Sequence, residues 1–215
     1  MLKRRVKYSY NKQGQVTTMA IDSAGILVQT YTMSYDSKGR LVQANSSRDA
    51  YLNEYNDQDQ RVKQIRSYRG ENGVLQEQDY YTFSYNSNNE LAEARYFYSG
   101  SGNASLFYIW KYTYTNGNPT TMEQLSAREE RITQAKLTYD TKPLLAQREL
   151  FTFFQPMEDV KTAHHLSSYS ISNSHGGSST YTLTYTFTPE GMAATAIKNG
   201  GQGFQEKRTY TYSCK

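Results

Sequence analysis

Apolar and aromatic positions alternate with polar ones along most of this chain. The runs are Val6, Tyr8, Tyr10; Tyr31, Met33, Tyr35; Tyr81, Phe83, Tyr85; Tyr108, Trp110, Tyr112, Tyr114; Tyr181, Leu183, Tyr185, Phe187; and Tyr210, Tyr212, with mostly Ser, Thr, Lys or Gln between them. A period of two is the mark of a strand that buries one face. The single interruption runs from Pro143 to Leu166. Within it, Gln155-Pro156-Met157-Glu158-Asp159 predicts one or two helical turns, with the proline early and acids in the first turn.

The strands are punctuated by a recurring turn. An aromatic residue is followed by Asn, Asp or Thr at Tyr10-Asn11, Tyr35-Asp36, Tyr55-Asn56, Tyr85-Asn86, Tyr114-Thr115, Tyr139-Asp140 and Phe187-Thr188. Four residues after each aromatic stand Gly14, Gly39, Asp59, Asn89, Asn118, Pro143 and Gly191. All but Pro143 are types that tolerate the left-handed conformation. A type I turn closed by a left-handed residue makes a three-residue hairpin loop with a bulge. In Tyr35-Asp36-Ser37-Lys38-Gly39-Arg40-Leu41 the aspartate caps the turn, Gly39 supplies the positive φ, and Tyr35 meets Leu41 across the hairpin.

A looser set of turns lies between these: Asp22 to Gly25, Asn45 to Asp49, Arg69 to Gly73, Ser99 to Asn103, and Arg128-Glu129-Glu130. Alternation of the two sets predicts strands running up and down, with the tight turns gathered at one end. The fold class expected is all-β: one domain over 1–215, an antiparallel up-and-down meander of about 14 strands, curled or closed into a soluble barrel, with an irregular insertion at about 143–166.

Composition narrows the function classes. The chain has 215 residues with 21 tyrosines, one tryptophan and four prolines, a balance that favours ordered β structure over disorder. No stretch is apolar for long enough to form a membrane-spanning helix. A lipid-facing barrel would confine aromatics to two girdles, whereas here they run the length of Tyr108 to Tyr114, and Lys63 and Glu77 fall mid-strand. The net charge of +4 comes from basic residues interspersed with acidic ones, so no nucleic-acid footprint is drawn. The densest basic run, Lys3 to Lys7, reads as a solvated end. Cys214 is the only cysteine, which excludes an internal disulfide. The first residues show no apolar export core after the basic cluster.

Two resemblances rest on these residues. Tyr35 to Leu41 resembles the tyrosine–aspartate (YD) repeat of RHS-type proteins, Tyr-Asp-x-x-Gly-Arg-Leu, of which the other six turns are degenerate copies. The C-terminal half, through Leu137 to Leu144, Thr182 to Met192 and Arg208 to Cys214, is similar to extracytoplasmic lipoprotein domains of unknown function from Gram-negative bacteria of the gut type. That resemblance implies a porin-like β fold, a place in the periplasm or at the cell surface, and a lipid anchor on a longer precursor. It implies no catalytic residue, and this chain lacks a leader and a lipid-attachment cysteine near residue 1.

Candidate chemistry is sparse. Adjacent His164 and His165 point to opposite faces of a strand, and with His175 they fit no zinc spacing, so they are expected as solvated loop histidines. Asp57-Gln58-Asp59 lacks the glycine and glutamate of a calcium loop, Val62 and Tyr68 standing in their places, and reads as a turn. Glu129-Glu130, flanked by Arg128 and Arg131, reads as a solvated charge cluster. Gly200-Gly201-Gln202-Gly203 precedes a strand and offers no helix N-terminus to phosphate. No cofactor and no enzymatic activity are therefore expected. What remains is the aromatic ladder. A barrel of about 8 strands is filled by side chains and one of 16–18 leaves a channel, so a tyrosine-lined interior of intermediate width suits a glycan, a lipid or a peptide. The expected ligand-binding residues are Tyr108, Trp110, Tyr112 and Tyr114, flanked by Tyr81, Phe83 and Tyr85. The alternative is a structural scaffold module with no ligand.

Overall fold

The computed structural model describes residues 4–23, 26–100, 102–143, 160 and 162–209. The strands are β1 (Arg4–Tyr10), β2 (Val16–Ser23), β3 (Ile26–Tyr35), β4 (Leu41–Asn45), β5 (Asp49–Tyr55), β6 (Arg61–Arg69), β7 (Leu75–Tyr85), β8 (Leu91–Tyr98), β9 (Ser105–Thr115), β10 (Asn118–Ser126), β11 (Arg131–Pro143), β12 (His164–Asn173), β13 (Ser178–Phe187), β14 (Ala193–Asn199) and β15 (Gln205–Thr209). All 15 belong to one sheet whose order is the order of the sequence, from β1 to β15. Each registered pair is antiparallel. The meander read from the alternation is the fold. β1 and β15 are its edges and do not pair with each other, so the described residues do not close into a barrel. Helix among them is confined to the single 3-10 turn Gly201–Gly203. The helical turn expected at Gln155 to Asp159, the strand at Tyr210 and Tyr212, Ala24-Gly25 and Cys214 lie outside the described residues.

Five of the seven aromatic turns form as read. Gly14, Gly39, Asp59, Asn89 and Gly191 have φ of 75, 79, 60, 60 and 84°. The residue after the aromatic is the organiser. Asn11 Oδ1 accepts the backbone N–H of Gln13 and Gln15 at 3.0 and 2.9 Å, while its amide donates back to Gln15 Oε1 at 2.8 Å. Asn56 and Gln60 repeat this pairing, as do Asn86 and Glu90. In the Asp36 turn the same return contact becomes an ion pair, with Arg40 Nε 2.7 Å from Asp36 Oδ2. The bulge sets the register so that each aromatic faces the residue six positions on: Tyr10 and Val16, Tyr35 and Leu41, Tyr55 and Arg61, Phe187 and Ala193.

Two turns differ. Asn118 is not left-handed, because Asn116 and Gly117 (φ 51 and 72°) already make a two-residue type I′ hairpin and Asn118 starts β10. At Tyr139-Asp140 no hairpin forms, and β11 runs on to Pro143, whose ring excludes the positive φ that the loop requires. Conversely, two of the looser turns are as tight: Gly73 and Glu129 are left-handed (φ 77 and 62°) and close the same loop between β6 and β7 and between β10 and β11. Gly176 (φ 84°) does so between β12 and β13, at a turn not singled out in the sequence. The tight loop therefore occurs at both alternating sets of connections. Ser126 and Asn173 take the capping role there, and the absence of a preceding tyrosine hid them.

The chain divides into two compact units, one of residues 1–83 with 96–107 and one of 84–95 with 108–215. In the first, directly opposed residues share a face, and the register Met33, Ala44, Tyr51, Arg66, Asp79 crosses β3 to β7 as one row. Its buried apolar residues include Val16, Tyr31, Ala44, Ala50 and Phe83. In the second, Tyr112, Met122 and Ala135 form a buried row across β9 to β11. Its core also includes Leu91, Ile109, Leu125, Leu137, Leu166, Tyr169 and Leu183.

Candidate functional site

The first unit holds a charged pair inside an aromatic frame. Arg66 on β6 stands opposite Asp79 on β7, and its guanidinium donates to Asp79 Oδ2. Asp79 is 1% exposed, so the aspartate is taken out of water while Arg66 stays partly accessible. A buried carboxylate stays in place only when paired and hydrogen-bonded. Arg66 Nε is itself buried and has no hydrogen-bond partner.

Tyrosines surround the pair. Tyr51 faces Arg66 from β5, the Arg66 Cζ lies 5.0 Å from the Tyr68 ring centroid, and Tyr81 packs on Tyr96 at 5.0 Å. Tyr31 and Tyr51 extend the frame at 6.0 Å on one side. On the other, Phe107 packs edge-on against Tyr96 and Tyr98 at 6.5 and 6.2 Å. Burial pushes the Tyr81 phenol up to about 12, helped by Tyr96 and Asp79 nearby. Burial also raises Tyr31, Tyr51 and Tyr96 above the ordinary phenol value, each with an aspartate adding to it. These hydroxyls consequently remain neutral donors at any physiological pH.

Two polar hubs flank the frame. Asp49 accepts from Tyr31 Oη at 3.1 Å, from Gln29 Nε2 at 2.7 Å and from Ser46. Asn53 donates to the Leu41 carbonyl at 2.9 Å and accepts from Gln64 and Arg61, at 3.0 and 3.3 Å. Arg61 in turn lies over the Phe83 ring at 4.9 Å. The arrangement sets planar aromatic faces beside a partly accessible guanidinium that the buried carboxylate holds in place. Among the described residues no group of three or more His, Cys, Asp or Glu is placed to hold a metal ion.

The expected ligand residues are shared between the units. Tyr81 and Phe83 belong to the first, stacked 6.2 Å apart, with Phe83 buried. Tyr85, Tyr108, Trp110, Tyr112 and Tyr114 belong to the second. There Trp110 is 7% exposed and packs edge-on against Tyr108 at 5.8 Å, and Tyr112 is equally buried. The alternation that singled out this ladder marks its inward face, where Tyr112 meets Met122. Arg66, Asp79, Tyr51 and Tyr96 were not singled out, since a lone arginine and a lone aspartate on separate strands give no local signal. Only the register that sets β6 on β7 joins them.

Histidine gives a correction. His165 is not a solvated loop residue. It lies on β12, 1% exposed, with its ring 5.0 Å from Tyr185 and 5.1 Å from Phe187. Neither ring nitrogen has a hydrogen-bond partner, and burial lowers its pKa. His164 points elsewhere, with Nδ1 2.9 Å from Asn118 Nδ2, and the Asn118 Oδ1 accepts the N–H of Ala163 and His164. The strand continues N-terminally past Leu166 through residues without aromatic alternation, which is why β12 looked like loop there. His175 is in an exposed turn, as expected.

No family model matches the chain, and no curated protein matches it. Among solved structures it is similar to a porin-like protein from Bacteroides uniformis, 17% identical, with a TM-score of 0.63 over 97% of this chain and 88% of that one. The chain shares that protein's fold. A porin-like protein from Bacteroides vulgatus matches more loosely, 9% identical over 97% of this chain and 94% of that one with a TM-score of 0.43. TcdB2-TccC3 matches at 13% identity and a TM-score of 0.34, over 96% of this chain and 12% of that one. The latter two are too loose to carry an argument. No helix of the described residues is long and apolar enough to cross a membrane.

Proposed function

We propose that this protein is a non-catalytic, extracytoplasmic β-meander that binds a glycan at Arg66, Asp79 and the tyrosines around them. The observation that carries this reading is the buried charged pair framed by Tyr51, Tyr68, Tyr81 and Tyr96 on neighbouring strands. A sugar ring stacks on an aromatic face while its hydroxyls pair with the partly accessible Arg66 guanidinium and with phenol groups, the buried Asp79 holding Arg66 in place. A lipid chain would cover the same charges without answering their hydrogen bonds, which costs free energy. The porin-like fold shared with the Bacteroides uniformis protein is in keeping with the extracytoplasmic setting.

The test is a titration of neutral and acidic oligosaccharides followed by calorimetry and by ring-proton shifts of the tyrosines. Binding that falls at least tenfold in Tyr68→Ala and Tyr81→Phe supports the reading. Absence of binding by every saccharide, in a chain whose unfolding remains cooperative, overturns it. A scaffold role without ligand then stands, favoured by the repeated loop-to-loop contacts between hairpins.

A further inference from the structure

The outer edge of β1 is unlike any interior strand of the ladder. Every side chain described on it, Val6 to Tyr10, is exposed, including Val6, Tyr8 and Tyr10 at 39, 49 and 57%. Among the described residues its only paired neighbour is β2, so its outward backbone groups have no strand beside them. Such an edge is a template for another strand.

The ladder itself shows what fits there. Tyr35, at the end of β3, donates its hydroxyl to the carbonyl of Val16 at the start of β2, at 2.8 Å. Tyr55, at the end of β5, does the same to Leu41 at the start of β4, at 2.9 Å. Tyr10 occupies the corresponding position of β1, where no strand among the described residues lies on the far side to supply the carbonyl. An incoming strand therefore runs antiparallel to β1 and opens with a residue like Val16 or Leu41.

Charge and pattern select the rest of the occupant. The strand sequence Arg4-Arg5-Val6-Lys7-Tyr8-Ser9-Tyr10 carries three basic residues and no acidic one. Asp22 of β2 stands opposite Arg5, but Lys7 faces Ala20, so the lysine has no acid across from it. A second copy of the same edge would set these basic residues against each other, which disfavours self-pairing. We propose that the β1 edge docks an extended peptide segment of alternating apolar and acidic residues. Its apolar side chains cover Val6, Tyr8 and Tyr10, and its carboxylates meet Lys7 on the other face.

The probe is a fluorescein-labelled synthetic peptide of about nine residues, long enough to cover the strand, alternating valine with glutamate. Two companions replace glutamate with lysine or place a proline at the centre. Fluorescence anisotropy is expected to show saturable binding of the glutamate peptide, weakened by salt, and at least tenfold weaker binding of the lysine and proline peptides. Lys7→Glu is expected to reverse the preference between glutamate and lysine, and hydrogen exchange at the Val6 to Tyr10 amides is expected to slow on binding. Equal binding of the proline peptide would show that no strand is added and would overturn the proposal. So would absence of binding with the chain folded, or a dimer by sedimentation that Lys7→Glu strengthens. None of these readouts depends on the glycan site.

Discussion

The hydroxyl of Tyr55 donates to the carbonyl of Leu41, and Leu41 is at the same time the cross-strand partner of Tyr35. The first residue after a turn is thus held from both sides, by the aromatic of its own hairpin and by the aromatic of the next. The ion pairs follow the same path, since Lys38 and Arg40 of one loop reach Asp59 of the following loop at 2.7 and 2.6 Å. Neighbouring hairpins are joined through their loops as well as through the sheet.

Removing one such hydroxyl should be measurable. Tyr55→Phe keeps the ring and deletes the donor, and should lower stability by about 0.5–1.5 kcal/mol in urea unfolding. Tyr35→Phe, which loses the bond to Val16, should cost a similar amount. No change in either variant would mean that water replaces the bond without loss.

The left-handed positions predict opposite signs. Gly39 has φ of 79°, where a β-branched side chain is strained, so Gly39→Val should destabilise by about 1–3 kcal/mol. Glu129 adopts φ of 62° without being glycine. Its ion pair with Lys111 at 3.2 Å is an exposed contact of the kind worth little. Glu129→Gly should therefore stabilise, by up to about 1 kcal/mol. Thermal melts of the two variants check the pair of signs.

The Arg66–Asp79 pair predicts a non-additive cycle. Arg66→Ala strands a carboxylate that is 1% exposed and should cost about 3–5 kcal/mol. Adding Asp79→Ala should recover part of that loss, because the unpaired charge is gone. Additive effects of the two substitutions would show that the pair is not coupled.

His165 predicts a pH dependence. Its charged form is disfavoured by burial, with Lys142 and His164 adding to that and Asp140 opposing it, while Tyr185 and Phe187 offer only rings. The folded pKa lies below the ordinary value of 6.5, so the unfolded chain binds the proton more readily. Stability is whole above that value and is lost as pH falls below it. The carboxylates of Asp36, Asp59 and Glu190, lowered by bonds from the Arg40 backbone, Lys38 and Thr188 respectively, act in the more acidic range. Tm should therefore decline between about pH 7 and 5. His165→Phe should flatten that decline, and an unchanged slope would contradict the assignment.

The strand ladder was legible because aromatic alternation and the Asx loop are both local signals. Tyr35 to Leu41 contains the whole device within a few residues. The loops at Ser126 and Asn173 use the same physics without an aromatic flag, so the first was read as a looser turn and the second was not singled out. Asn116-Gly117 outcompeted Asn118 because two consecutive left-handed residues close a hairpin sooner. Site residues were harder to read. Arg66 and Asp79 are brought together by register alone, and the burial of His165 depends on β13, which supplies Tyr185 and Phe187.

The order of strands in the sheet also bears on how the protein is made. Because each strand after the first pairs with the one before it, no strand must wait for sequence still to be synthesised. A chain emerging N-terminus first can lay down hairpin upon hairpin as it appears, closing only short loops each time. Only the connection between β11 and β12 breaks that rhythm, since the roughly twenty residues between Pro143 and His164 are several times the usual loop length of about 4–6. Synthesis halted there should leave a product that already carries its first eleven strands in their final pairing.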